Sequence, residues 1–226
     1  MLSGASGRDW QSMTASVDIA GWSAARALEI VHDAPRIGVS AQFLDRATCA
    51  WMIERAAPLQ ESALVYDPVS GRAVADDVRT NSCATFALQN LDLVTLLIRE
   101  RIANTMSVPS AHLERTSVFR YQAGQQFGAH VDYLTPSPQL NAEIRQWGQR
   151  PLTFLVYLND DFDAGETHFL KIDRKLRGGV GDALLFRNIG EDGAPDEMTW
   201  HEGAPPTRGV KWLLSQFIRD KPQPLG

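Results

Sequence analysis

After Pro109, short apolar runs alternate with turn residues, and this alternation restricts the possible folds more than any other pattern in the sequence. Gly, Pro or Asp bounds most of these runs, a pattern typical of antiparallel β-sandwiches and barrels. The runs are Ser117–Tyr121, Leu152–Leu158, Thr167–Leu170, Ala183–Phe186, Met198–His201 and Trp212–Ile218. The sequence therefore predicts a mainly β protein with a core over about residues 114–220.

Helical patterns precede this β core. Asp45 is a suitable N-cap for a helix whose apolar residues recur at helical spacing up to Pro58, and a second helix is predicted over about residues 91–106. The turn-rich stretch 67–81 predicts a surface loop or hairpin. Residues 1–40 are small, polar and weakly periodic, so we expect a loosely held N-terminal extension with a helix over 20–31. Residues 41–226 are predicted to form one domain.

Composition and charge restrict the partners of the chain. Hydrophobic residues make up 44% of its 226 residues, and 22 basic against 27 acidic residues give a net charge of −5. That balance disfavours a nucleic-acid backbone or an anionic membrane as partner, because either needs a concentrated basic face. No apolar run approaches the roughly 20 residues of a membrane span, and the first ten residues lack a secretory-signal pattern. Since there are only two cysteines, we expect a cytoplasmic location.

Three residues form a candidate metal site. In His130-Val131-Asp132, the imidazole and the carboxylate would share one face of an extended strand. His201, at the end of a predicted strand, would complete a set of two His and one carboxylate, which is typical of non-haem Fe(II) oxygenases. His168 is the competing third ligand.

Two further residues could bind an acidic cosubstrate beside such a metal. Lys211 opens an apolar run ten residues after His201, and Tyr121 ends a predicted strand nine residues before His130. An ammonium and a phenol hydroxyl could hold the same carboxylate. A surface lysine with a buried stem and an ordinary strand aromatic explain the two residues equally well, so the residues alone leave both interpretations open.

Eight segments of the chain stand in the order and with the spacings of one known family. They are Val78-Arg79-Thr80-Asn81-Ser82, Phe119-Arg120-Tyr121-Gln122-Ala123-Gly124-Gln125, His130-Val131-Asp132, Arg150-Pro151-Leu152-Thr153, Tyr157-Leu158-Asn159-Asp160, Gly165-Glu166-Thr167-His168-Phe169, Gly181-Asp182-Ala183-Leu184-Leu185-Phe186, and the pair His201-Glu202-Gly203-Ala204-Pro205 and Gly209-Val210-Lys211-Trp212. On these segments, the chain resembles the prolyl 4-hydroxylase branch of the 2-oxoglutarate/Fe(II) dioxygenases over about residues 40–220.

The resemblance implies a double-stranded β-helix, the cupin-like jelly roll, with supporting N-terminal helices. It implies Fe(II) held by His130, Asp132 and His201, with 2-oxoglutarate, O2 and ascorbate as the other cofactors. The far carboxylate of 2-oxoglutarate would pair with Lys211 and be hydrogen-bonded by Tyr121 and Thr167. Arg150 matches a family arginine that faces the substrate, so the resemblance makes it a candidate catalytic residue.

The chain departs from the family where the substrate binds. The family often has a tyrosine and a tryptophan at the places that Phe127 and Phe217 occupy here, and Ala164 stands where the first glycine of Gly-Gly-Glu-Thr is usual. An apolar mouth with Arg150 as its cation favours a compact, amino-acid-type substrate with a carboxylate beside an aliphatic C–H. A free amino acid, a derivative and a peptide residue all stay open.

Hydroxylation of such a C–H, with release of succinate and CO2, is the function that the sequence predicts. Two alternatives are a zinc-dependent hydrolase on the same three ligands and a jelly roll that binds 2-oxoglutarate without turnover. A hydrolase would have no need of the carboxylate anchor formed by Tyr121, Thr167 and Lys211. The sequence points to no protein partner and leaves the oligomeric state open.

Overall fold

The computed structural model describes residues 18–67, 72–74, 76–138 and 140–224 of the chain. The helices are α1 (Ile19–Ser23), α2 (Arg46–Ala56), α3 (Leu93–Met106) and α4 (Leu140–Trp147), with 3-10 turns at Ala57–Leu59, Leu88–Asn90, Ser110–His112 and Glu197–Thr199. The strands are β1 (Glu29–His32), β2 (Ile37–Ser40), β3 (Glu61–Ser62), β4 (Val65–Asp67), β5 (Arg72–Val74), β6 (Ser82–Thr85), β7 (Ser117–Gln122), β8 (Phe127–His130), β9 (Leu152–Tyr157), β10 (Asp163–Ala164), β11 (Thr167–Phe169), β12 (Arg174–Leu176), β13 (Ala183–Arg187), β14 (His201–Gly203), β15 (Pro206–Arg208) and β16 (Val210–Ile218). Within the ranges described, no helix is long and apolar enough to cross a bilayer.

Two antiparallel sheets carry the β core. The large sheet has eight strands in the order β1-β2-β13-β9-β16-β7-β6-β3, and the small sheet has four in the order β12-β11-β14-β8. Along the chain, the strands β7, β9, β13 and β16 of the large sheet alternate with strands of the small sheet. The chain therefore crosses repeatedly between the sheets, as in a jelly roll, and the predicted fold class is confirmed.

The large sheet has an apolar core on each face. On its outer face, α2 and α3 contribute Met52, Ile98 and Ile102, which belong to the same buried cluster as Val118 of β7. On its inner face, Phe119 of β7 belongs to a second cluster that reaches the small sheet. Neighbouring residues of one strand pack into different cores, because successive side chains point to opposite faces of the sheet.

Of the three helices predicted in the first half, the one after Asp45 and the one over about residues 91–106 are confirmed. α2 begins after Asp45, whose carboxylate accepts a hydrogen bond from the backbone N–H of Thr48 at 2.7 Å. α3 begins after Asp92, which caps it in the same way, and ends at Met106. For the turn-rich stretch, predicted to be a surface loop or hairpin, the antiparallel pairing of β4 with β5 agrees with a hairpin at its start. Residues 68–71 and 75 lie outside the described residues.

The predicted extension over residues 1–40 is wrong for residues 29–40. The helix of this region covers only Ile19–Ser23, and the chain then forms β1 and β2 of the large sheet. β2 pairs with β13, and Ile37 is fully buried. Four-residue strands are too short to show a clear sequence period, and pairing with β13 stabilises them rather than local propensity. Residues 1–17 lie outside the described part of the chain.

Two predicted strands near the candidate ligands have different bounds in the structure. The run 198–201 contains a 3-10 turn at Glu197–Thr199, so His201 begins β14 rather than ending a strand. His130 is the last residue of β8, and Asp132 lies in a bend just beyond it. The two side chains are therefore brought together by a strand end and not by an unbroken strand.

Candidate active site

The three predicted metal ligands converge at the small sheet. His130 and His201 are register partners on β8 and β14, and their ring centroids are 4.3 Å apart. Nε2 of His130 lies 3.4 Å from Oδ1 of Asp132, and Nε2 of His201 lies 3.7 Å from Oδ2 of Asp132. One ligand atom from each residue lies within 4.8 Å of the others, a spacing that one metal ion can bridge.

Hydrogen bonds behind the three residues orient them toward this common point. Nδ1 of His130 lies 2.8 Å from the carbonyl of Gly128, and Nδ1 of His201 lies 2.9 Å from that of Thr199. Each carbonyl accepts a hydrogen bond from the protonated Nδ1, so the unprotonated Nε2 of each ring is left as the ligand atom. The hydroxyl of Thr153 donates to Oδ2 of Asp132 at 2.7 Å.

The ionisation of the site suits a divalent metal. Burial alone would raise the pKa of Asp132, but the nearby His201 and His130 and the hydrogen bond from Thr153 hold it well below its usual value. Burial lowers the pKa of His201. At neutral pH the site therefore offers an anionic carboxylate and a neutral imidazole, the forms that bind metal ions.

The donor set fits iron. Two imidazoles and one carboxylate on one side of an ion leave its other positions open, which is the arrangement of non-haem Fe(II) oxygenases. When bound, the iron supplies a place where O2 and an α-keto acid react side by side. The alternative ligand His168 lies elsewhere, since its two nitrogens contact Glu202 and Asp173 at 3.2 and 3.1 Å.

A small pocket, with a cavity volume of about 30 Å³, adjoins the three ligands. Lys211 of β16 is opposite Tyr121 of β7, and its Nζ lies 4.9 Å from the centroid of the Tyr121 ring. Lys211 is fully buried, and within the described residues its ammonium has no hydrogen-bond partner. Burial lowers the pKa of Lys211 to about 7. A buried ammonium of this kind fits an anionic ligand, because an unpaired buried charge is costly.

Thr167 completes the predicted anchor group at this pocket. Its hydroxyl lies 3.1 Å from the hydroxyl of Tyr157, which donates to the carbonyl of Leu176 at 3.0 Å. The structure therefore brings Tyr121, Thr167 and Lys211 to one pocket beside the metal ligands, as the resemblance implies.

Several residues at the site escape the sequence analysis. Tyr157 and Thr153 lie within a predicted strand whose residues carry no assigned role, although their contacts orient Thr167 and Asp132. Asn188 supports this arrangement by donating to the Thr153 hydroxyl at 2.9 Å. Ser215 lines the pocket four residues after Lys211. Strand alternation from Lys211 was the one sequence signal that could have identified Ser215.

Arg150 is held by a carboxylate of the protein itself. Its Nε and Nη2 donate to the two carboxylate oxygens of Glu114 at 2.7 and 3.0 Å, and its guanidinium lies 4.0 Å from the ring centroid of Phe217. Glu114 also accepts a hydrogen bond from Arg219. Burial raises the pKa of Glu114, but the two guanidiniums outweigh it and hold that pKa low. The positive charge of Arg150, which the sequence analysis expects to bind the substrate, is therefore compensated by Glu114.

Comparisons with known proteins agree with this geometry. Residues 116–219 match the family model of the 2OG-Fe(II) oxygenase superfamily. Prolyl 4-hydroxylase 1 of Arabidopsis thaliana is 32% identical over 85% of this chain and 72% of its own length. Prolyl 4-hydroxylase 5 of the same plant is 31% identical over 92% of this chain and 76% of its own length.

A solved structure shows the same fold. The viral collagen prolyl hydroxylase of Paramecium bursaria Chlorella virus-1, in complex with 2-oxoglutarate, matches with a TM-score of 0.62 and 20% identity over 84% of this chain and 98% of that one. These relatives and the convergent His-Asp-His ligands identify a hydroxylase that uses Fe(II), 2-oxoglutarate and O2. The chain belongs to the 2-oxoglutarate/Fe(II) oxygenase superfamily, in its prolyl 4-hydroxylase-like branch.

Proposed function

We propose that this oxygenase hydroxylates proline residues within a peptide rather than free amino acids. In that reaction one atom of O2 enters a C–H bond of the substrate as a hydroxyl group. The other atom enters the cosubstrate, which loses CO2 and leaves as succinate. The names of the Arabidopsis relatives favour this substrate, and one feature of the mouth favours it independently.

The observation that carries the proposal is the pairing of Arg150 with Glu114. This pairing compensates the charge of the guanidinium, which stacks on Phe217 at the mouth of the pocket. A free amino acid would bring an ammonium and a carboxylate to this mouth, and both would lose water on binding. A prolyl ring within a peptide is uncharged and aliphatic, so it suits a mouth bordered by Phe127 and Phe217.

We also assign the residues that hold the cosubstrate. Lys211 pairs with the far carboxylate of 2-oxoglutarate, and Tyr121 and Thr167 donate hydrogen bonds to it. The burial of Lys211 and its position opposite Tyr121 support this role. Ascorbate as an additional cofactor and a cytoplasmic location remain proposals, the second of which agrees with the free thiols of Cys49 and Cys83.

The test measures succinate release with proline-containing peptides blocked at both ends, beside free proline and other free amino acids. We expect turnover of the blocked peptides and a product in which proline has gained one oxygen atom, located by fragmentation mass spectrometry. The same peptides with alanine in place of proline are the matched control. Faster turnover of free amino acids than of blocked peptides would overturn the proposal. It would indicate instead that Arg150 binds a carboxylate of the substrate.

A further inference from the structure

Phe127 lies between a metal ligand and a distant arginine. Its ring is stacked on the imidazole of His130, with centroids 3.6 Å apart and an angle of 11° between the planes. On Phe127, the guanidinium carbon of Arg79 lies 4.2 Å from the ring centroid. The three side chains form one stack, which we call the Arg79–Phe127–His130 stack.

The backbone around Arg79 is docked on the strand of His130. The N–H of Gly128 donates to the carbonyl of Val78 at 2.6 Å, and the N–H of Thr80 donates to the carbonyl of Gln126 at 2.9 Å. A Cβ on Gly128 would lie 2.9 Å from the Val78 side chain and 3.1 Å from its carbonyl oxygen, so this close approach requires glycine. Residues 78–80 are therefore held against β8 by an isolated antiparallel bridge between Arg79 and Phe127.

The side chain of His130 is more exposed than that of His201, and the stack covers one face of its ring. The His201 side chain is only 6% exposed and lies near the rings of both Phe169 and Phe186. The His130 side chain is 19% exposed. The bond from Nδ1 to the Gly128 carbonyl restricts rotation of the ring, and the Phe127 ring lies nearly parallel to it.

We propose that Arg79 and Phe127 are positioning residues that hold the His130 ring for metal binding, with Arg79 acting through Phe127. A ligand already held in its binding geometry gives tighter metal binding, because less conformational freedom is lost when the ion arrives. The proposal concerns the metal centre alone and is independent of which substrate the enzyme takes.

The test is a titration of the full-length, metal-free protein with Co(II), followed by the visible absorption of the bound ion, in the absence of peptide and 2-oxoglutarate. We expect Phe127→Leu to weaken Co(II) binding about threefold to tenfold and to change the shape of the absorption band. Arg79→Gln should weaken binding about twofold to fivefold. Phe127→Tyr keeps the stacking ring and should bind Co(II) as the unmodified protein does.

The double variant separates positioning from independent structural effects. Because Arg79 acts through Phe127, Arg79→Gln combined with Phe127→Leu should bind Co(II) no more weakly than Phe127→Leu alone. Arg120→Gln is the matched control, since Arg120 lies 5.7 Å from the Trp212 ring centroid and should leave Co(II) affinity unchanged.

Three results would overturn the proposal: unchanged Co(II) affinity in Phe127→Leu, fully additive losses in the double variant, or weakened binding in Phe127→Tyr. If Phe127→Leu does not fold, Arg79→Gln decides, because Arg79 is only partly buried and its loss should leave the fold intact. Unchanged affinity in that variant would then refute the role of Arg79. Turnover of peptides plays no part in this assay, so neither outcome bears on the proposed substrate.

Discussion

The two faces of the large sheet differ in what they bury. On β9, the hydroxyl of Thr153 donates to the metal ligand Asp132, while the next residue, Phe154, packs on Phe43 in the outer core with ring centroids 4.8 Å apart. The same alternation continues along β16, where Lys211 lines the pocket and Leu214 belongs to the outer core. The outer core between sheet and helices is mainly apolar, and its buried polar groups bond to one another, as Arg99 does to Gln216 at 3.2 Å. The inner face instead places charged and hydroxyl groups around the metal ligands.

This difference separates stability from chemistry. Burial of Lys211 and Asp132 costs free energy that an apolar side chain would not cost. The apolar side chains of the outer core, which gain free energy on leaving water, help to offset that cost. Substitutions on the two faces should therefore have separable consequences: loss of stability on the outer face, and loss of binding or turnover on the inner one.

The largest expected effect is on turnover when a metal ligand is removed from the inner face. His201→Ala should abolish succinate formation and weaken Co(II) binding by more than the roughly hundredfold typical of losing a supporting hydrogen bond. The far-ultraviolet circular dichroism of the metal-free variant should match that of the unmodified protein. His168→Ala is the matched control, and retained metal binding in His201→Ala with loss in His168→Ala would reverse the ligand assignment.

On the outer face, the expected effect is on stability. Phe154→Ala removes a fully buried ring and should lower the free energy of unfolding by about 3–5 kcal/mol, measured by urea denaturation of the metal-free protein. In the fraction that remains folded, Co(II) affinity should be unchanged. A parallel loss of metal affinity would show that the packing of Phe154 also positions Thr153, and the two faces would then be coupled.

The smallest of the three effects concerns the anchor of the cosubstrate. A charge-assisted bond contributes about 1.5–3 kcal/mol, so Lys211→Met should raise the 2-oxoglutarate requirement roughly tenfold to a hundredfold, with little change in Co(II) affinity. Binding is measured by titration of the metal-loaded protein under anaerobic conditions. An unchanged requirement would remove Lys211 from the cosubstrate site.

The same titration has a pH dependence with a definite sign. Burial lowers the pKa of Lys211 to about 7, with Glu166 raising it and Arg177 lowering it. Only the protonated ammonium pairs with a carboxylate, so 2-oxoglutarate affinity should fall as the pH rises through 7. Lys211→Met should lose this dependence, and an equal dependence in both proteins would assign it to another group.

Short motifs predicted the chemistry of the site better than they predicted its surroundings. His130, Asp132 and His201 meet as predicted, and Tyr121, Thr167 and Lys211 line one pocket beside them. The extension over 1–40 failed as a prediction for β1 and β2, because strands this short have little signal before a partner strand is present. The compensation of Arg150 by Glu114, 36 residues earlier in the chain, has no local signal at all.

The ligand types and their spacing can be read from the sequence, because metal coordination and strand periodicity depend on residue chemistry and on short intervals along the chain. What surrounds each group becomes visible in the folded structure alone. Whether Arg150 keeps a free charge, whether Lys211 is buried, and whether Arg79 stacks on Phe127 all depend on contacts between distant segments. Such contacts are set by the register and packing of the two sheets, and neither is encoded in any one stretch of the chain.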